Sequence, residues 1–536
     1  MPQDLIIKNG RLVDGSGAPW VWADIAVQGE RIAKVRGSIS DKAENVIDAE
    51  GLCVSPGWID VHMHADHTVL GNPLCESYIH QGVTTATMGN CGLSMYPLMD
   101  AHRDDLIMYL KPFTSGLDLD WGWETLRDFI NRVMDGGVAM NLVPLVGHGS
   151  IRINVMGFSD EKPTASEMSS MKSLLEDSLR MGAFGMSSGL GYPPGVYTED
   201  KELVELCKLV KEYDGLYTTH MRGNLENLRD TIKLGEDAGV AVQVSHIGSS
   251  CASHKPLSGR HEETTLRWID EARRRGVDIT ADIYPYIAGS SLLSQLIPDW
   301  AHEGGVSKML ERISDPDTRL RIEKEYRAEG SDAKGRDFTK VLMTYAKSEK
   351  NKKYEGMTIA EIAEQRGVPE VDALCDILLE EKGEAMNVSF WGVEEDVTML
   401  VRHHAVMPCS DGWLHAPYGQ LGSGKPHPRC YGAFPRYIRK YVNEQGVFPL
   451  EEAVRRMTSM PAHRLGLNDR GLIREGFMAD LTVFDPETVK DNATYSDPHR
   501  YPDGIKYVVV NGKVTIRDGE HTGALNGSVL RRRVRS

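Results

Sequence analysis

The chain has 536 residues, 41% hydrophobic and 26% charged, an ordinary globular composition long enough for one large core and one or two smaller domains. Its 61 basic and 77 acidic side chains give a net charge of −16, which argues against nucleic acid as a partner. Its eight cysteines are scattered, too sparse for a disulfide framework and with no close pair for a zinc knuckle, and they read as mostly reduced thiols of a cytoplasmic protein.

The N-terminus, Met1-Pro2-Gln3-Asp4-Leu5, lacks the basic and apolar regions of a signal peptide. No run of about 20 apolar residues is present, so no membrane span is expected. Residues 4–55 read as short strands and turns. Leu5–Val13 carries an Asn9-Gly10 hairpin signal, Asp24–Val35 is a hairpin around Gly29, and Val46–Gly51 follows.

From residue 57 apolar strand-like runs alternate with longer helical stretches. The strand candidates are Trp58–His64, Thr84–Asn90, Asn141–Gly149, Ala183–Gly189, Leu216–Arg222, Ala241–Gly248, Asp278–Tyr286 and His404–Gly412. Amphipathic stretches lie between them, among them Ala165–Met181, Lys201–Asp214, Asn227–Ala238 and Thr264–Arg275. Strict alternation implies a parallel sheet, and eight strands are the count for a (β/α)8 TIM-type barrel. Residues 291–400 are too long for an ordinary connection and helical in pattern (Val306–Ser314, Asp317–Arg327, Ile359–Gln365, Val371–Lys382). They read as an inserted helical subdomain over the barrel mouth, a lid or a plain decoration.

Leu450–Leu467 is helical in pattern, and strand signals return at Ala479–Phe484 and Ile505–Thr515, the latter with an Asn511-Gly512 hairpin signal. The tail Arg531-Arg532-Arg533-Val534-Arg535 is basic and reads as a solvated end. The organisation is therefore an α/β chain: 1–56 and 469–536 as two parts of a small β-sandwich, 57–290 as barrel strands one to seven, 291–400 as the insertion, and 401–468 as strand eight with its closing helices.

Catalytic groups of such barrels stand at the C-terminal strand ends. There the chain places His62 and His64 after strand one, Cys91 after strand two, His220 after strand five, His246 after strand six and Asp411 after strand eight. On a strand, alternate side chains share a face, so His62 and His64 aim at one point. Six ligand-type residues at five strand ends point to a metal site rather than to histidines of a packed core. Thiolate and imidazole suit zinc, which lowers the pKa of bound water to about 7 and polarises a carbonyl. Asp411 can take a proton from that water and pass it to a leaving nitrogen. The chemistry is metal-assisted hydrolysis of a small-molecule amide. Nucleic acid and membrane are not expected partners, and the oligomeric state stays open, a homo-oligomer included.

These residues resemble the amidohydrolase superfamily and, within it, the D-aminoacylase (N-acyl-D-amino-acid deacylase) family. The carrying motifs run from Pro56–His64, Gln81–Thr85 and Gly89–Gly92 through Gly185–Tyr192, Thr219–Arg222, Tyr284–Tyr286 and Ala288–Ser290 to Ser410–Gly412, Lys425–Arg429, Phe434–Arg436 and Ala479–Asp485. Many superfamily members supply a carboxylated lysine from strand four; here Met186-Ser187-Ser188-Gly189 stands there, and Cys91 is the telling residue. The resemblance implies that Cys91, His220 and His246 hold a tight zinc, that His62, His64 and Asp411 form a second, weaker or partly occupied site, and that Asp411 is the general base. It further implies that Tyr192, Tyr284, Ser290 and Arg429 line the pocket and bind the substrate carboxylate, as hydroxyls and an arginine fork suit.

The family's lysine two positions after the strand-six histidine is absent: Gly248 stands there, followed by Ser249-Ser250-Cys251, with Lys255 and Arg260 downstream as candidates to replace it. The implied activity is zinc-dependent cleavage of N-acyl-D-amino acids. The alternatives are the same chemistry on a dipeptide with a C-terminal D-residue or on a cyclic amide or imide, as in hydantoinases, and, in another class, a metal-free scaffold.

Overall fold

Apolar runs buried on both faces form the centre of the molecule. A computed structural model describes residues 2–223, 226–248, 260–328 and 337–532. Ser249, Ser250, Cys251, Lys255, the Arg260 side chain and Arg533–Arg535 lie outside the described residues.

The central strands are β1 (Trp58–Asp60), β2 (Val83–Met88), β3 (Asn141–Pro144), β4 (Gly185–Gly189), β5 (Leu216–His220), β6 (Ala241–Val244), β7 (Ile279–Ile283) and β8 (Val406–Pro408). Every residue of β2, β3, β4 and β7 is buried, the signature of parallel strands covered on both sides. The ladders are parallel and make two sheets: β1-β2-β3, and a second running from Val146–Gly147 through β4, β5, β6 and β7 to β8. Helices Leu126–Gly136, His148–Met156, Ala165–Arg180, Asp200–Glu212, Glu226–Ala238 and Arg260–Arg274 fall between the strands. A capping box starts Ala165–Arg180: the Thr164 hydroxyl accepts from the Glu167 N–H, and the Glu167 carboxylate accepts from the Thr164 N–H.

The two sheets are not closed into one ladder. Single backbone bonds cross between them. Phe184 N donates to Pro144 O at 2.7 Å. Beyond β1 and β8, Asp411 N donates to His62 O at 2.8 Å and His64 N to Gly412 O at 2.9 Å. This is an α/β arrangement of TIM-barrel type. All but β4 end before their sequence signals do, and five of the six ligand-type residues stand on the turns that follow; His220 is the last residue of β5.

The termini meet in a nine-stranded sheet in which Cys53–Pro56 pairs with both Gln3–Leu12 and Leu481–Phe484. It is one continuous sheet, where two facing sheets were expected. An antiparallel bridge from Arg31 to Met478 brings its edge strand back towards Leu481–Phe484, around a core that includes Leu5, Ile25, Val54, Leu481 and Val509. Asn9-Gly10 is not a hairpin turn: strand Gln3–Leu12 passes straight through it with a register shift, and Asn9 adopts φ 60°. Gly29 and Asn511-Gly512 do turn hairpins.

The long connection between β7 and β8 carries helices Val306–Ser314, Pro316–Arg327, Ile359–Arg366 and Glu370–Glu380. It also holds an antiparallel sheet of Ala288–Leu292, Met386–Phe390 and Val341–Tyr345, so it is α+β rather than purely helical. These three strands are short and separated by helices, which hides their pairing from a local reading. Among the described residues no helix is long and apolar enough to cross a membrane, and Cys53, Cys75, Cys91, Cys207, Cys375, Cys409 and Cys430 are free thiols.

Candidate active site

His62 and His64 are not on a strand. β1 ends at Asp60, whose Oδ1 accepts from His62 N at 3.1 Å and from Ser410 N at 3.2 Å. The carboxylate takes the His62 N–H out of the ladder, as short acidic side chains do at turns. The two histidines converge because their backbone pairs with the chain around Asp411. His62 Nε2 lies 3.3 Å and His64 Nε2 3.1 Å from Asp411 Oδ1.

Cys91 stands at the centre. Its Sγ is 3.2 Å from His62 Nε2 and 3.6 Å from His246 Nε2. Two groups of ligand atoms, each within 4.8 Å of one another, share it: His62, His64, Cys91 and Asp411, and Cys91, His220 and His246. The structure thus brings together all six ligand-type residues read from the strand ends. Three of them, Cys91, His246 and Asp411, adopt left-handed backbone at φ 54°, 33° and 53°. For non-glycine residues this conformation costs on the order of 1–3 kcal/mol each and collects at functional sites.

The tight turn after β2 explains the glycines near Cys91. A Cβ on Gly89, at φ +79°, would stand 2.2 Å from Leu145 O. One on Gly189 would stand 2.2 Å from Cys91 O and 2.4 Å from the Tyr192 hydroxyl.

Opposite charges set the site's protonation. Burial alone would raise the Cys91 thiol, but the His62, His220 and His246 imidazoles outweigh it and hold it well below the ordinary thiol range. Burial opposes protonation of His64, yet Asp411 and Cys91 lift it to about 9. Burial would raise Asp411, but the Arg429 guanidinium, then His62 and His246, hold it well below the usual carboxylate range. A thiolate and a carboxylate ringed by imidazoles, with the Nδ1 of buried His64 unpartnered among the described residues, form a donor set that fits a divalent transition metal.

The second layer was not read from the sequence. Asp282 on β7 is fully buried; its Oδ1 takes His62 Nδ1 at 3.1 Å and His246 N at 2.7 Å, and its Oδ2 takes Gln243 Nε2 at 2.7 Å. A carboxylate behind a ligating imidazole fixes its tautomer and leaves the other nitrogen for metal. The available signal was a lone charge, Asp282, inside the otherwise uncharged run Ile279–Ile283. Asp60 is likewise buried, and burial pushes it up to about 7. Trp413 stacks on His64, with ring centres 5.2 Å apart, and donates its indole N–H to His67 Nδ1 at 3.2 Å.

The residues expected to bind substrate divide. Arg429 is fully buried; its Nη1 is 2.8 Å from Asp411 Oδ2, its guanidinium lies 4.7 Å from the Tyr284 ring centre, and its Nη2 donates to Ser290 O at 3.4 Å. Arg429, Tyr284 and Ser290 are therefore one cluster beside Asp411. Within it the Ser290 hydroxyl donates to Asn387 O at 2.9 Å. Tyr192 faces the metal-ligand side, where its hydroxyl donates to Cys91 O at 2.7 Å. A pocket lined by Ser290, Tyr345, Trp413, His415, Pro426 and His427 opens beside this cluster.

The amidohydrolase family model matches residues 45–374 and 414–516. A D-aminoacylase of Alcaligenes xylosoxydans xylosoxydans is 34% identical over 99% of this chain and 98% of its own. The crystal structure of N-acyl-D-glutamate deacylase from Bordetella bronchiseptica, complexed with zinc and a phosphonate mimic of the tetrahedral intermediate, aligns with a TM-score of 0.81 at 29% identity, covering 99% of this chain and 100% of that one. A D-aminoacylase structure concerned with its binuclear metal centre aligns at 0.81 and 31% identity, with the same coverage.

Proposed function

The chain belongs to the amidohydrolase family, in its D-aminoacylase branch, and from that premise we propose that it hydrolyses the amide bond of N-acyl-D-amino acids at a zinc site, with Asp411 as general base and acid. It is a metal-dependent hydrolase of carbon–nitrogen bonds. The observation that carries the assignment of roles is the pair of donor groups sharing Cys91, closed on one side by the Asp411–Arg429 ion pair.

Cys91, His220 and His246 would hold the tight zinc; His62, His64 and Asp411 would form a second, weaker or partly occupied site. Zinc there supplies Lewis-acid activation of water and of the scissile carbonyl. Arg429 holds Asp411 Oδ2, which leaves Oδ1 to accept the proton of the attacking water. Asp411 then gives that proton to the amide nitrogen, so the products are a carboxylate and a free D-amino acid. Arg429, Tyr284 and Ser290 orient the substrate carboxylate, and Tyr192 supports Cys91 from below. In domain terms we read a (β/α)8 barrel of TIM type, a terminal β domain from 1–56 and 469–536, and an inserted domain covering 291–400 at the barrel mouth.

The test is a hydrolysis screen of the zinc-loaded enzyme against N-acyl-D-amino acids, their L-forms, dipeptides with a C-terminal D-residue and cyclic imides. Turnover selective for the first set is expected. Selective turnover of dipeptides or cyclic imides, with none of acyl-D-amino acids, would overturn the substrate assignment.

A further inference from the structure

Cys91 sits in the loop Gly89–Met95 that leaves β2, and side chains from several elements hold the backbone of that loop. Ser187 of β4 accepts from Gly92 N at 2.9 Å and donates to Gly89 O. Ser150 Oγ accepts from Ser94 N at 3.0 Å, and the Trp123 indole donates to Met95 O at 2.6 Å. Tyr192 holds Cys91 O. A further holder, Asp66, is charged and lies two residues after His64. Its Oδ1 accepts from Gly89 N at 3.1 Å and its Oδ2 from Met95 N at 3.2 Å. One carboxylate thus joins the two ends of the Cys91 loop, and the segment that bears His62 and His64 carries it.

This arrangement requires a carboxylate. Each N–H takes a different oxygen, whereas an amide in the same place offers one acceptor and turns its NH2 on the other donor. Asp66 is fully buried, and among the described residues no lysine or arginine pairs with it. An unpaired buried carboxylate is costly. What it secures is a loop in which Gly89, Cys91 and Gly92 all take positive φ, at 79°, 54° and 72°. Cys91 is thereby kept in the conformation that sets its sulfur between the two donor groups. We propose that Asp66 is a positioning residue for Cys91: by closing both ends of the loop onto the His62–His64 segment, it fixes where the thiolate stands and so sets the strength of the metal–sulfur bond. The proposal rests on the reading of Cys91 as a metal ligand and adds to it the device that holds the ligand in place.

Cobalt(II) in place of zinc reports that bond directly, because a cobalt–thiolate bond gives a near-ultraviolet charge-transfer band that imidazole and carboxylate ligands alone do not give. Wild-type protein loaded with cobalt(II) should show the band, and Cys91→Ala should lack it. Asp66→Asn keeps the side-chain shape and removes one acceptor. It should fold with wild-type far-UV circular dichroism, bind zinc about 10- to 100-fold more weakly, and show a cobalt band that is shifted or reduced by about half or more. A role confined to stability would lower the melting temperature and leave the band as in wild type. An unchanged band in folded Asp66→Asn therefore overturns the proposal. If Asp66→Asn yields no folded protein, Asp66→Glu takes its place, with both oxygens kept but displaced by one methylene. A shifted or weakened band then supports the proposal, and an unchanged one overturns it. A wild-type protein that binds cobalt(II) without the band shows instead that Cys91 is not a ligand, and the ligand reading falls together with the proposal.

Discussion

Asp282 touches no reacting atom, yet its replacement by asparagine should weaken the metal site. The carboxylate accepts three hydrogen bonds, two at Oδ1 from His62 Nδ1 and His246 N and one at Oδ2 from Gln243 Nε2. Asparagine has one acceptor oxygen. If that oxygen faces the histidines, the new NH2 meets the Gln243 NH2 head-on, and relieving that requires Gln243 to flip and the Thr280 hydroxyl, which donates to its Oε1, to turn and accept instead. If the oxygen faces Gln243 instead, His62 Nδ1 meets a donor and the ring turns or changes tautomer. The first orientation loses one bond to a charged acceptor and the second loses two, from His62 Nδ1 and His246 N, a cost on the order of 1.5–3 kcal/mol or more. Lost outer-shell partners lower metal affinity about 10- to 100-fold, the same range expressed as a ratio. The assay is zinc competition with a chromophoric chelator, alongside a thermal melt and far-UV circular dichroism. Asp282→Asn should fold with wild-type secondary structure and show the weakened zinc affinity. Affinity within twofold of wild type in a folded variant would refute the role given to Asp282.

Asp411→Asn should retain tight zinc while turnover falls by about three orders of magnitude or more; a near-native rate would remove Asp411 from the chemistry. Cys91→Ala should lower tight-zinc content, measured by elemental analysis after dialysis, and stoichiometric zinc would make Cys91 structural instead. Glu202 is buried between Arg152 and His148, 2.7 Å from each, and although burial alone would raise it, those partners hold its carboxyl below the ordinary range. Because the folded value is depressed, its stabilisation is present above the unfolded carboxylate value of about 4.3 and is lost as pH falls through the folded value. Glu202→Gln should therefore cost about 3–5 kcal/mol in urea unfolding at pH 7, and the gap to wild type should narrow below about pH 4; a gap that is constant with pH would refute the linkage.

The alternation of strands and helices was legible because it is set by local chemistry. Runs such as Val83–Met88 and Ile279–Ile283 are covered on both faces and so read as short segments of apolar, small and β-branched residues, with Asp282 the one charge between them. The six ligand-type residues were legible for the complementary reason, since each interrupts or ends such a run. What stayed hidden was decided by partners far along the chain. The three strands of the insertion pair across residues 288–390. Asn9-Gly10 has the composition of a hairpin turn, but pairing with Val21–Gln28 on one side and Ala43–Asp48 on the other draws it into a long strand as a bulge. Asp66 and the Cys91 loop became a unit only when the fold set one against the other.

The length of the strands carries the more general point. The sequence extends the barrel strands to or near their ligand-type residues, whereas four ladders stop short: β1 ends two residues before His62, β2 three before Cys91, β6 two before His246 and β8 three before Asp411, and only His220 stays on its strand, as the last residue of β5. A ligand kept on a strand would point along the sheet normal, at a spacing dictated by the pleat. Released from the ladder, Cys91, His246 and Asp411 take left-handed backbone that no strand permits, and this turns their side chains towards a common point. The cost is met by the rigid strands beneath and by close backbone contacts such as Gly89 against Leu145 O, where no side chain fits. The apolar pattern therefore reports the scaffold, and the site is built from the residues at which that pattern gives out.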